Sequence, residues 1–90
     1  MTYLNFPIIK SFVRFFSEKV DSTELVWHLD ENDRLITVVS GIGWKLQIDN
    51  ELPIDLFENS IYHIPKETYH RILKSSDKFI TSLVLKVEEF

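Results

Sequence analysis

Three side chains within residues 26–41, "VWHLDENDRLITVVSG", have the types and spacing to do chemistry. His28 and Asp30 are two residues apart, so both side chains point to one face of an extended strand. An imidazole and a carboxylate placed in this way can bind a divalent metal ion. Arg34 follows four residues after Asp30, and a guanidinium can neutralise that carboxylate instead. The stretch leaves two interpretations open, a metal site and a metal-free pocket.

Runs of β-branched and aromatic residues, separated by turn residues, predict that strands position these side chains. Short strands with tight turns are typical of an all-β sandwich or barrel. The segment 7–19 instead predicts an N-terminal amphipathic helix, because its apolar residues recur at helical spacing. Those residues are Ile9, Phe12, Val13 and Phe16. We predict about seven short strands, at 23–29, 34–40, 43–49, 53–57, 60–64, 69–74 and 78–87.

The composition excludes several classes of function. The chain has 90 residues, enough for one domain, and its lack of cysteine excludes disulfides and zinc–thiolate sites and favours a reducing compartment. Its net charge of -4 argues against nucleic-acid and anionic-membrane partners. Its apolar runs are too short to span a bilayer, and its first residues lack the features of a signal peptide. We therefore expect a cytoplasmic protein that binds neither nucleic acid nor membrane.

The stretch around His28 resembles the first motif of the cupin family, small barrels built as a double-stranded β-helix. That motif places two histidines two residues apart, then a glutamate, then a closing glycine. In this sequence His28 stands at the first histidine position and Asp30 at the second. Arg34 stands at the glutamate position and Gly41 at the closing glycine. The frame is kept, while two of the family's metal ligands are changed.

The stretch "NSIYHIPKETYHRILK" resembles the second cupin motif in its spacing. Pro65 and His70 match the family's proline and histidine. Asn59 and Glu67 stand where the family has glycines, and Lys74 stands where it has an asparagine. The resemblance covers about residues 22–87 and implies an all-β, cupin-like barrel over residues 22–90, with the helix of residues 1–21 packed against the barrel or a dimer partner. It extends to uncharacterised cupin-like proteins of phages.

The resemblance implies two kinds of site in such a barrel. As a metal site, His28, Asp30 and His70 would bind one divalent ion of Fe, Mn, Ni or Zn, as a minimal metal-dependent enzyme does. As a metal-free pocket, which we favour, Arg34 would pair with Asp30, and Arg34, His28 and His70 would bind a small anionic ligand. Trp44 and Tyr62 would then form flat apolar walls. Whether any reaction is catalysed stays open.

Protein partners form a third possibility. The predicted strand 23–29 carries apolar residues on both faces, and the predicted helix is rich in aromatic residues. A small domain with such surfaces often completes its core by dimerising, so we expect a homodimer. A phage-encoded protein of this size can also act without catalysis, as a module that binds a host protein.

Overall fold

The computed structural model describes residues 7–21, 25–75 and 79–90. All regular secondary structure in these residues is β-strand, and no helix long and apolar enough to cross a membrane occurs among them. The strands are β1 (Lys10–Phe16), β2 (Arg34–Ser40), β3 (Trp44–Ile48), β4 (Ile54–Asp55), β5 (Ile61–Ile64), β6 (His70–Lys74) and β7 (Leu83–Glu89).

The strands form two antiparallel sheets. One has four strands in the order β1-β7-β2-β5, and the other has three in the order β4-β3-β6. In the four-stranded sheet, Arg34 at the start of β2 lies opposite Glu89 at the end of β7. In the three-stranded sheet, Ile48 at the end of β3 lies opposite His70 at the start of β6. A single bridge joins His28 to His70, so the segment around residue 28 borders β6.

The core lies between the two sheets and follows from alternation along the strands. In β7, Leu83, Leu85, Val87 and Glu89 are buried, while the residues between them are more exposed. Because side chains alternate between faces, one face of each sheet supplies the core. The buried apolar cluster consists of Leu25, Ile36, Val38, Trp44, Leu46, Leu56, Ile64, Ile72, Leu83, Leu85 and Val87.

The predicted N-terminal helix at 7–19 is wrong, because residues 10–16 form strand β1 in antiparallel register with β7. The sequence KSFVRFF fits both periods, since its apolar residues recur at helical spacing and also sit on alternating faces. Aromatic and β-branched residues favour the extended state, and the long strand β7 offers a partner for every residue of β1. This tertiary pairing decides between the two patterns.

The predicted barrel is also not confirmed, since the described strands form two sheets. The predicted strand 23–29 is reduced to the bridge at His28, with residues 22–24 outside the described part of the chain. The strands predicted at 34–40, 43–49, 60–64 and 69–74 are confirmed within one residue at each end, as β2, β3, β5 and β6. The fold is a small all-β domain with two packed sheets.

Candidate metal centre

The candidate site lies where three strand termini meet. Arg34 is the first residue of β2, His70 the first residue of β6 and Glu89 the last residue of β7. All three continue the core-facing rows of their strands, so their polar groups enter at the end of the apolar core. His28 is brought alongside by two backbone hydrogen bonds, because it and His70 each donate N–H to the other's carbonyl at 3.0 Å.

The two histidine rings stand edge to face, with centroids 4.2 Å apart. In each ring Nδ1 lies against the backbone carbonyl two residues earlier, at 3.1 Å for His28 and Val26 and at 3.0 Å for His70 and Thr68. A carbonyl oxygen only accepts, so Nδ1 carries the proton in both rings. An imidazole that carries a single proton at Nδ1 has an unprotonated Nε2, which is the atom that a metal ion binds. A backbone carbonyl on the other nitrogen is the usual outer support of a metal-binding histidine.

The Nε2 atom of His70 lies 3.2 Å from Oδ2 of Asp30. Burial lowers the pKa of His70, a shift that the neighbouring His28 reinforces and the hydrogen bond to Thr68 opposes. His70 is therefore neutral at neutral pH, and its Nε2 lone pair faces a carboxylate oxygen. Oδ2 is fully buried and accepts no hydrogen bond among the described residues. Two acceptors thus face each other with no proton between them.

Arg34 is neutralised by two carboxylates. Its Nε donates to Oε2 of Glu89 at 2.7 Å, and a second guanidinium nitrogen lies 2.6 Å from the same oxygen. Its remaining nitrogen lies 3.1 Å from Oδ2 of Asp30, which confirms the predicted ion pair of Arg34 and Asp30. That contact has ion-pair distance but not the alignment of a hydrogen bond, so the buried oxygen stays without one. The guanidinium also lies 5.5 Å from the ring centre of Phe12.

His28, Asp30 and His70 offer one ligand atom each, and these atoms lie within 4.8 Å of one another. Two ligands at about 2.1 Å from a metal are separated by roughly 3.0 Å at right angles and 3.4 Å in a tetrahedron. The 3.2 Å between His70 and Asp30 falls in this range. His28 is exposed and can rotate to shorten the remaining separation. The group has the composition and approximate geometry of a three-ligand metal site.

A pocket of about 290 Å³ adjoins the two histidines and Arg34. Its apolar lining comes from both sheets and from the segment before His28. The lining side chains are Phe16, Leu25, Val26, Ile36, Ile64, Ile72, Leu85 and Val87, together with Arg14, His28, Arg34 and His70. A ligand bound to the polar end would therefore extend into an apolar space.

The other two predicted site residues lie outside this pocket lining. Trp44 is 1% exposed, and its indole N–H donates to the carbonyl of Thr81 at 2.7 Å, so it packs in the core. The hydroxyl of Tyr62 accepts from the N–H of Phe57 and donates to the carbonyl of Asp55, at 2.9 and 3.0 Å. Trp44 belongs to the core, and Tyr62 fixes the connection between β4 and β5.

The sequence pattern did not identify two charged residues of this region. Glu89 looks like part of a solvated acidic end, yet it continues the alternation of Leu83, Leu85 and Val87 and is 8% exposed. Extending that period by one step would have placed it on the core face. Arg14 lies within the helix predicted at 7–19, and no sequence pattern links it to His28.

Compared with protein-family models, with curated proteins and with solved structures, the chain shows no significant match. The cupin resemblance and the phage origin therefore stay predictions, and the site rests on its own geometry.

Proposed function

We propose that this domain binds one divalent metal ion through His28, Asp30 and His70. The observation that carries the proposal is the buried Oδ2 of Asp30, which lies 3.2 Å from Nε2 of His70 and accepts no hydrogen bond among the described residues. Two acceptors in that position repel each other, and an orphaned buried acceptor is costly. A cation between them would turn both lone pairs into favourable interactions.

The charge of the site supports a cation rather than an anion. Arg34 carries one positive charge, and its contacts Glu89 and Asp30 carry two negative charges. With neutral histidines, this cluster is negative by one unit. A metal-free site, in which Arg34, His28 and His70 bind a small anion, stays the alternative. That anion would have to displace Glu89 or Asp30 from the guanidinium.

Three protein ligands leave coordination positions open for water or for a small molecule. Two imidazoles and one carboxylate with open positions suit Fe(II) and are also acceptable to Zn²⁺. A bound metal would supply Lewis acidity next to the apolar pocket. The chain itself would orient the imidazoles through the carbonyls of Val26 and Thr68. A small metal-dependent enzyme is the activity class that this arrangement supports.

Calorimetric titration with Ni²⁺, Zn²⁺ and Mn²⁺ tests the proposal. We expect one equivalent of at least one ion to bind with micromolar affinity, and Asp30→Asn and His28→Gln to weaken binding by about tenfold or more. His28 is exposed, so its variant should fold even if replacements of buried His70 do not. His63→Gln is the matched control, because His63 is an exposed histidine outside the triad.

Absence of binding by all three ions to the folded wild type would refute the metal centre. Equal losses in His28→Gln and in the control His63→Gln would also refute it, because binding would then be a general property of surface histidines. If a small anion instead raised the melting temperature and Arg34→Met abolished that effect, the metal-free alternative would replace the proposal.

The backbone conformation at two positions of the second motif supports the cupin resemblance. Asn59 and Glu67 stand at the two glycine positions of the second motif, and both have a positive φ, 68° and 56°. Side chains other than glycine rarely adopt this backbone conformation. The N–H of Glu67 also donates to the carbonyl of Asp30 at 2.7 Å, which ties this turn to the candidate ligand. The motif frame thus coincides with the local backbone around the site.

A homodimer is a second proposal, and it is supported by strand β1. β1 is at the edge of its sheet, and Ile9, Val13 and Phe15 expose 66%, 65% and 64% of their surface. A second copy that covered this face would bury the three side chains. Light scattering after size exclusion tests the proposal, and a monomeric mass of 10.7 kDa at high concentration would contradict it.

A further inference from the structure

The pocket between the sheets has features that the metal proposal does not use. Its walls are apolar over most of their area, and its volume is about 290 Å³. At roughly 30 Å³ for each non-hydrogen atom, as in liquid water, that volume holds about ten atoms. This is the lower end of the range for small-molecule sites. This volume and lining suit a small organic molecule with a mainly apolar body.

Arg14 gives this pocket a cation other than Arg34. It lines the pocket from β1 and stacks its guanidinium 5.4 Å from the ring centre of Phe16. Among residues 7–21, 25–75 and 79–90, no carboxylate lies within ion-pair distance of Arg14. Arg14 is exposed as a residue, and its guanidinium carries five N–H donors. Arg34, by contrast, already holds two carboxylates.

The sheet register separates Arg14 from the histidine end of the pocket. Lys10 lies opposite Glu89, which in turn lies opposite Arg34, so these three residues form one row across the sheet. Arg14 lies four residues further along β1, opposite Leu85. At about 3.3 Å for each residue of a strand, the two rows are roughly 13 Å apart. The pocket therefore has a free cation near one end and the histidines near the other.

We propose that this pocket binds a small organic carboxylate of up to about ten non-hydrogen atoms with an apolar body, and that Arg14 binds the carboxylate group. An arginine binds a carboxylate in a fork of two parallel hydrogen bonds, which a lysine cannot reproduce. The apolar chain would lie against Ile36, Leu85 and Val87. The inference does not depend on a bound metal, and it differs from the Arg34-centred anion site in the residue that carries the charge.

Titration with butanoate, hexanoate, octanoate and dodecanoate in the presence of EDTA tests this inference. Each added methylene should raise the affinity about fourfold up to octanoate, which has ten non-hydrogen atoms. Dodecanoate should gain nothing more, because the pocket is full. Arg14→Gln should weaken octanoate binding by about tenfold, and Arg14→Lys should restore only part of it. Arg14 is exposed, so both variants should fold.

Arg71→Gln is the matched control. Arg71 also stacks on an aromatic ring, 4.5 Å from the centre of Trp27, but it lies outside the pocket lining. Equal losses in Arg14→Gln and Arg71→Gln would overturn the inference, as would equal binding of octanamide, which has no charge. Loss of octanoate binding in His28→Gln with retention in Arg14→Gln would also overturn it. Because EDTA removes the metal, these outcomes are independent of the metal titration.

Discussion

Replacement of Arg34 by methionine should destabilise the protein strongly, because it leaves two largely buried carboxylates without their cation. The side chains of Glu89 and Asp30 are 10% and 16% exposed. Breaking a buried ion pair by removing one partner costs about 3–5 kcal/mol. Since these carboxylates keep some contact with water, we expect the lower value, a loss of about 3 kcal/mol in the free energy of unfolding.

The geometry predicts how this loss divides between the two carboxylates. Glu89 accepts an aligned hydrogen bond at 2.7 Å, whereas Asp30 lies at 3.1 Å without alignment. A double-mutant cycle with Arg34→Met and Glu89→Gln should give a coupling energy of about 2 kcal/mol, as for hydrogen bonds between charged groups. The cycle with Asp30→Asn should give less than about 1 kcal/mol.

Urea unfolding measures both cycles, with tryptophan fluorescence as the signal, to which buried Trp44 and exposed Trp27 contribute. The surface pair of Lys45 and Asp55 is a matched control, because it has the same 2.7 Å distance but side chains that are 32% and 55% exposed. Its coupling should stay below about 1 kcal/mol. Equal coupling of Arg34 to Glu89 and to Asp30, or a coupling no larger than that of the control, would refute this account of the site.

Two further variants probe the loops at the two ends of β2. The hydrogen bond from the backbone N–H of Lys66 lowers the pKa of Asp33 below its usual 3.8. The ionised carboxylate therefore stabilises the folded state above pH 3.8. This stabilisation is lost as the pH falls through the lowered pKa. Asp33→Asn should therefore reduce stability at neutral pH by about 1 kcal/mol and flatten the acid side of the stability profile, while exposed Asp49→Asn should change neither. Gly41→Ala should lower the free energy of unfolding by about 2–3 kcal/mol, because the φ of Gly41 is +136° and the added Cβ would lie 2.9 Å from Leu83. Urea unfolding measures this loss, and an unchanged midpoint urea concentration would contradict it.

The sequence predicted β2 and β6 to within one residue of their limits and missed β1. Ile36 and Val38 in β2, and His70 and Ile72 in β6, are buried two residues apart, which is the period of a strand. In β1 and the residue before it, Ile9, Phe12, Val13 and Phe16 have helical spacing. The deciding interaction is pairing with β7, about seventy residues further along the chain, which local periodicity does not report.

The candidate ligands could be predicted from the sequence because a motif frame fixes their spacing, whereas their charge balance could not. His28, Asp30 and His70 are brought together as the frame implied. The counterion of Arg34 comes from the end of the chain, at Glu89, and only the antiparallel register of β2 and β7 reveals it. Without that register, Arg34 had only Asp30 as a partner, and the sequence therefore favoured a site without metal.

Glu89 changes what Arg34 implies for the metal. If Asp30 were the sole partner of Arg34, a dication that bound Asp30 would displace Arg34 and leave its positive charge without a counterion. Instead, Nε and one terminal nitrogen of Arg34 are held by Glu89, and the remaining contact to Asp30 is unaligned. Asp30 can therefore turn to a metal while Arg34 keeps a counterion. Arg34 then stabilises the metal-free fold and at the same time lowers metal affinity by repelling the ion.

These two effects of Arg34 have opposite signs, so one variant separates them. Arg34→Met should lower the free energy of unfolding and yet raise the affinity for the best-bound ion by about tenfold or more, since it removes a positive charge beside the metal. Glu89→Gln should lower metal affinity, because Arg34 is then free to bind Asp30 more firmly. Calorimetric titration of both folded variants measures the two effects. If metal affinity fell together with stability in Arg34→Met, Arg34 would support the ligands structurally. The claim that its positive charge lowers metal affinity would then be wrong.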